Sequence, residues 1–299
     1  MNILIMSTAM FLAGSSIVVA KKLICTMPVF LANELSLLLA LLILLPVGVR
    51  HLTQVAPRDA VALFKMLRWP FLQALFGMAL FRVLMFLGLQ HLSAIDGGLV
   101  TATTPGVMAL LAFVLLREKT NIMRIVGILL AVSGVAVLHW HNTASGGSAV
   151  GVVLILLATA CEAMLTIFRK MEKAPISPLS NTFYIVVFSS VLLAPATVVE
   201  GQWPSIISLS LEEWMGCLYM GWIATVLAYW CWGYASAHLE AGVTGIITAM
   251  MPLSATVISI VWLGEPPGLQ HLLGGLCVIS SIFVITAPFD AWMDRRQRT

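Results

Sequence analysis

Charge is what this sequence lacks. Only 10% of its 299 residues are Asp, Glu, Lys or Arg, against 60% hydrophobic, and the mean hydropathy is +1.01. A water-soluble globular protein needs more charged surface than that. No polar stretch is long enough to fold as an appended soluble domain. The net charge of +3 is too small to mark a nucleic-acid-binding face. Aspartate is scarce: Asp59, Asp96, Asp290 and Asp294 all fall outside or at the edges of the apolar runs. There is no HExxH, no GxSxG and no paired intramembrane histidine, which argues against a membrane-embedded enzyme. The cysteines (Cys25, Cys161, Cys217, Cys231, Cys277) are odd in number and form no CxxC, so they read as small packing residues. His139 and His141 lack carboxylate or thiolate company, so no metal and no cofactor is expected. Strict apolar–polar alternation is missing too, which excludes a β-barrel.

What the chain has is long apolar runs separated by short polar breaks. They predict an all-α membrane protein with ten transmembrane helices at 2–20, 29–49, 69–90, 95–116, 122–140, 149–168, 181–200, 214–236, 242–263 and 269–287. The first run lacks a basic leader, and Lys21 and Lys22 follow it with no small-residue cleavage site, so it is read as a span. Ten spans put both termini on one side. With that side cytoplasmic, the inner loops hold Arg50, Arg58, Lys65, Arg68, Arg117, Lys119, Arg124, Arg169, Lys170, Lys173 and the arginines near the C-terminus, while the outer loops hold only Lys21 and Lys22. The positive-inside rule therefore places both termini in the cytoplasm of a cell whose inner membrane holds the chain.

An internal repeat organises the sequence. Shifted by 147 residues the chain falls on itself without a gap. Pro28 lands on Pro175, His91-Leu92 on His238-Leu239, Thr101-Ala102 on Thr248-Ala249, Pro105 on Pro252, Glu118 on Glu265 and Gly127 on Gly274. Residues 1–147 and 148–299 are thus two five-helix units. Five is odd, so the second unit enters the membrane upside down, and a pseudo-two-fold axis in the membrane plane relates the two inverted repeats. Each unit has a proline in its fourth helix and a glutamate thirteen residues on (Pro105 with Glu118, Pro252 with Glu265). In this the chain resembles the drug/metabolite transporter superfamily, EamA type. That resemblance covers essentially the whole chain and implies a carrier whose helices 1–4 and 6–9 line a central cavity, with 5 and 10 peripheral. It also implies export of amino acids, their derivatives or other small metabolites, without fixing the substrate.

The charges inside the spans carry the functional reading. Arg82 stands inside 69–90, where a guanidinium costs roughly 2.5–3.5 kcal/mol on the milder insertion scales and stays charged. It must face protein or water and needs an acceptor. Under the repeat Arg82 falls on Tyr229, Glu34 on Asn181 and Glu162 on Ser15, so charged positions in one half meet neutral polar ones in the other. Glu34 lies about five residues, or roughly 8 Å, from the outer end of its helix, and Arg82 about eight residues, or roughly 12 Å. They are expected to pair at rest, leaving Glu162 as the isolated acid. In the eighth span Trp222, Thr225, Tyr229, Trp232 and Ser236 share one face at regular helical spacing, suited to a partly apolar solute. Met78 and Met85 flank Arg82 as a soft wall. Thr101, Thr104 and Met108 sit beside Pro105, and Pro105 and Pro252 are candidate hinges. Glu118 and Glu265 are expected to cap the helices that follow them. Gly127, Ala131 and Gly134 form a small-residue stripe for close helix contact, within one protomer or in a homodimer.

Together these features predict an alternating-access carrier for a small zwitterionic or anionic metabolite, with an amino acid as the sharpest guess. The substrate-binding set is Arg82, Glu34, Glu162, Tyr229, Trp222, Thr101, Asn181, Met78 and Met85. Proton coupling through Glu162 or Glu34, with Glu162 taken as the coupling acid and Glu34 as the resting partner of Arg82, and uncoupled efflux both stay open. Membrane lipids surround the chain. A lipid flippase or an exporter of hydrophobic solutes would use the same fold.

Overall fold

The computed structural model describes residues 1–54, 59–116, 122–144, 149–172, 176–236, 238–239, 247–248 and 250–286. Every regular element among them is helical. The helices are α1 (Asn2–Leu23), α2 (Val29–Gln54), α3 (Ala60–His91), α4 (Ala94–Thr101), α5 (Thr104–Leu116), α6 (Ile122–Ala144), α7 (Ala149–Met171) and α8 (Pro178–Glu200). After a 3₁₀ turn at Trp203–Ser208 come α9 (Leu211–Leu218, Tyr219–Leu227 and Ala228–Ser236 in one run), α10 (Met250–Leu263) and α11 (Leu269–Thr286). Six of these helices are long and apolar enough to cross a membrane, and shorter apolar helices at Ile125–Val137, Met250–Leu263 and Leu269–Val284 join them.

Several boundaries differ from the sequence reading for local reasons. Helix α3 begins nine residues early, at Ala60, because Asp59 caps it by accepting from the Ala62 amide at 2.9 Å. Lys21 and Lys22 belong to α1 and not to the loop after it. The Lys21 ammonium donates to the carbonyls of Leu89 and Leu92 at 2.6 and 2.8 Å, closing the C-terminal end of α3. The span read at 95–116 is broken at Ala102–Thr103 into α4 and α5, and Pro105 is the second residue of the new helix, where a missing N–H costs least. Glu265 does not cap the helix that follows it. Its two carboxylate oxygens accept from the amides of Ala94 (2.8 Å) and Ile95 (3.0 Å), so it caps α4 in the other half of the chain. Glu118 lies outside the described residues. Cys25 is exposed and so is no packing residue, whereas Cys217 and Cys231 are buried.

Neighbouring helices obey the 147-residue shift. Helix α2 packs on α8 and α6 on α11, each on its own equivalent. The α1–α10, α1–α9 and α2–α9 contacts are matched by α7–α5, α7–α3 and α8–α3. The α2–α8 pair is antiparallel. At one end Glu200 accepts from the Phe30 and Leu31 amides (3.3 and 2.9 Å), and at the other His51 meets the Tyr184 hydroxyl at 2.9 Å. The small-residue stripe of α6 serves contact within the protomer: Gly134 faces Val278 and the Gly274 carbonyl of α11. The opposite flanks of that pair carry exposed Leu129, Val132, Leu272 and Leu276.

Candidate functional site

The site begins with two irregular turns that periodicity does not reveal. Helix α3 widens into a π turn at Leu75–Leu80 and α9 into another at Tyr219–Leu227. Shifted by 147 residues, the first falls on 222–227, the last six residues of the second. Such turns insert a residue into the helical ladder and cluster at functional positions. Each holds a glycine pressed against a neighbour: Gly77 on Leu165 of α7, Gly221 on the Ser36 carbonyl of α2. Any side chain there would push the helices apart.

Arg82 and Tyr229 each follow one of these turns by a few residues, and each reaches into the other's. The Arg82 Nη2 donates to the hydroxyl of Thr225, inside the α9 turn. Thr225 in turn donates to the Met220 carbonyl at 2.6 Å, five residues back along the same turn. The Tyr229 hydroxyl donates to the Gly77 carbonyl, inside the α3 turn, at 3.4 Å. Equivalent residues therefore make near-equivalent crossings, one with a fixed charge and one with a phenol. Glu162 of α7 completes the group. Its Oε2 accepts from Thr104 at 2.9 Å, and Tyr229 lies within electrostatic reach of both Arg82 and Glu162. Thr104 has one proton and a second acceptor, the Thr101 carbonyl at 2.6 Å. The carboxylate thus holds a proton donor that has an alternative partner.

The expected Arg82–Glu34 pair does not form. Arg82, 6% exposed, makes no ion pair with any described carboxylate, and its Nη1 has no hydrogen-bond partner among the described residues. Glu34 turns instead toward α8, where the Ser190 hydroxyl donates to its Oε1. The reason is geometric: α2 buries its Glu34 face against α8, while α3 aims Arg82 at α9.

Other predicted residues scatter. Trp222 is 40% exposed, with its indole N–H on the Leu39 carbonyl of α2 at 2.9 Å, so it does not share the buried face of Thr225. The π turn changes the angle per residue and breaks the face that regular spacing predicts. Met78 and Met85 are buried, but in separate apolar clusters. Thr101 spends its hydroxyl on the Gly97 and Gly98 carbonyls of its own helix, at 2.9 and 2.8 Å. Asn181 sits in a different polar group, donating to Gln73 at 2.9 Å; Gln73 donates to Glu172 at 3.2 Å, which also pairs with Arg169 at 2.6 Å. Pro252 is buried in α10. The side chains of Ser236, His139 and His141 lie outside the described residues. The sequence reading missed Gln73, Glu172, Ser190 and Tyr219, whose hydroxyl lies 2.5 Å from that of Ser15. Their signal was available: each is a polar residue at or inside an apolar run.

The described residues thus form a helical bundle with membrane-length helices and a buried guanidinium that no described carboxylate pairs. Residues 1–140 and 149–287 each match the EamA-like transporter family. The chain belongs to that family and is a multi-pass membrane transporter. The transporter YetK of Bacillus subtilis is 32% identical over 289 residues, covering 93% of this chain and 84% of its own. A Streptantibioticus cattleyicolor protein named "Probable terminal-alkyne amino-acid exporter" is 28% identical over 214 residues, 70% of this chain and 69% of its own. A solved crystal structure aligns over 100% of this chain and 99% of its own, with a TM-score of 0.63 at 19% identity, which is a likeness of fold.

Proposed function

We propose that this protein is an alternating-access secondary transporter that exports a small amino-acid-like or other zwitterionic or anionic metabolite across the inner membrane. The carrying observation is Arg82. It is a buried guanidinium with one hydroxyl for a partner, no described carboxylate paired to it and an Nη1 left over. An unpaired buried cation is strongly unfavourable, and a carboxylate arriving from a substrate relieves it. Tyr229 adds a hydroxyl donor, and Glu162 supplies a partner for an ammonium group. The amino-acid exporter among the relatives supports this substrate class.

In this reading ten spans form two inverted five-helix units, both termini face the cytoplasm, and the halves exchange shapes about the pseudo-axis. The matched helix contacts and the overlapping π turns of α3 and α9 support it. Pro105, just past the α4–α5 break, and Pro252 act as equivalent hinges facing opposite sides.

The test is a metabolite survey of the medium from cells overproducing the protein. Wild type should enrich a carboxylate-bearing solute. Arg82→Ala should abolish that enrichment while the protein still accumulates in the membrane. Arg82→Lys should recover little, because a point charge does not replace the planar fork. Normal export by Arg82→Ala would make the arginine structural and remove the substrate assignment.

A further inference from the structure

Glu34 is left without the role the sequence suggested for it. It is 2% exposed, the sixth residue of α2, with one hydroxyl donor on Oε1 and, among the described residues, no hydrogen-bond partner on Oε2. Among the described residues no cation pairs with it. Of the ionisable groups on the elements packed against α2, those of α8 are engaged elsewhere: Tyr184 with His51, and Glu200 with the Phe30 and Leu31 amides. On α9, Glu212 pairs with Lys22, Glu213 with Ser210, Cys217 with Met27, Tyr219 with Ser15 and Tyr229 with the Gly77 carbonyl. Farther along α9, Cys231 packs beside α1 and Tyr234 stacks on His238. On α3, Arg82 is held by Thr225, and Lys65, Arg68 and His91 are exposed. On α2 itself Arg50 bonds Gln54.

A carboxylate this buried, with no countercharge among the described residues, is costly, and holding a proton removes that cost. The repeat makes the same point in another way. The equivalent of Glu34 in the second half is Asn181, a neutral amide. The location gives the proton a task. Glu34 lies in the contact between α2 and α8, the pair of equivalent helices that a rocking motion of the two halves has to shear.

We propose that Glu34 carries the coupling proton of the transport cycle. It is a neutral carboxylic acid while closed against Ser190, and it releases its proton when the α2–α8 contact opens to water. The step balances simply: the acid O–H bond breaks, water takes the proton and leaves as hydronium, and the carboxylate remains until reprotonated from the other side. No redox partner is involved. The inference rests on the transporter reading above and adds the coupling ion, on a residue separate from the Arg82 site.

The test needs no identified solute. Infrared difference spectra of the full-length protein in phosphatidylcholine proteoliposomes at neutral pH should show a protonated-carboxyl C=O band that Glu34→Gln removes. Ser190→Ala should keep that band and shift its frequency, because it removes the hydrogen bond to Oε1. For a single reporter, Thr197→Cys on a cysteine-free background, the rate of labelling by a permeant maleimide, divided at each pH by the rate for the unfolded protein to cancel thiolate formation, should be severalfold higher at alkaline than at mildly acidic pH. That dependence should be flat in Glu34→Gln. A carboxyl band unchanged by Glu34→Gln, or pH-dependent labelling that survives it, would overturn the proposal. Failure of the Arg82 reading looks different: export would persist in Arg82→Ala with the infrared band intact.

Discussion

Replacing Thr225 by valine tests the heart of the site with a change of one group. Valine keeps the β-branched shape, so no cavity opens and the loss is polar. Two interactions go. One is the hydrogen bond from the Arg82 Nη2; the other is the 2.6 Å bond that Thr225 donates to the Met220 carbonyl. A neutral hydrogen bond between or within membrane helices averages about 0.6 kcal/mol. One to a charged group contributes about 1.5–3 kcal/mol. The charged term therefore dominates, and the sum is roughly 2–3.5 kcal/mol. The assay is thermal unfolding in detergent beside the export measurement. Thr225→Val should melt clearly below wild type and lose export, and Thr225→Ser should restore both, because serine keeps the hydroxyl. A valine variant that melts with wild type would mean that Thr225 does not hold Arg82, and the site as described would fall.

Three further outcomes are expected. Gly134→Ala should destabilise, because the new Cβ would meet Val278 at 2.6 Å and the immovable Gly274 carbonyl at 2.8 Å. Overpacking costs about 1–3 kcal/mol and outweighs the gain of up to about 1 kcal/mol from replacing a helical glycine. Gly275→Ala should be neutral or stabilising, because its Cβ would meet only the movable Leu99 side chain at 3.2 Å, and a shared sign in the melting curves would refute the packing argument. For topology, a reporter active only outside the cytoplasm should give no signal when fused to Thr299, and a strong signal would reverse the loop count.

The sequence by itself determined the class of this protein. Apolar runs of span length and scarce charge require a helical membrane protein, because backbone polar groups in lipid must be satisfied within the helix. The 147-residue repeat was legible for the same reason that it matches the packing. Residues such as Gly127 and Gly274, or Pro105 and Pro252, recur wherever equivalent helices meet equivalent neighbours. Arg82, Tyr229 and Glu162 were legible because a polar group inside an apolar run stands out whatever surrounds it.

Which polar group meets which was decided only by the tertiary structure. Arg82 and Glu34 lie at compatible depths, yet helix rotation sends one to Thr225 on α9 and the other to Ser190 on α8. Glu265 skips the helix beside it in sequence and caps α4 across the repeat. The two π turns changed the faces of α3 and α9, because an inserted residue shifts every later side chain around the axis. Trp222 consequently turns outward while Thr225 turns in. Sequence spacing fixes positions along a helix, but the angle about it depends on the hydrogen-bond ladder, and that is settled by the neighbours it packs against.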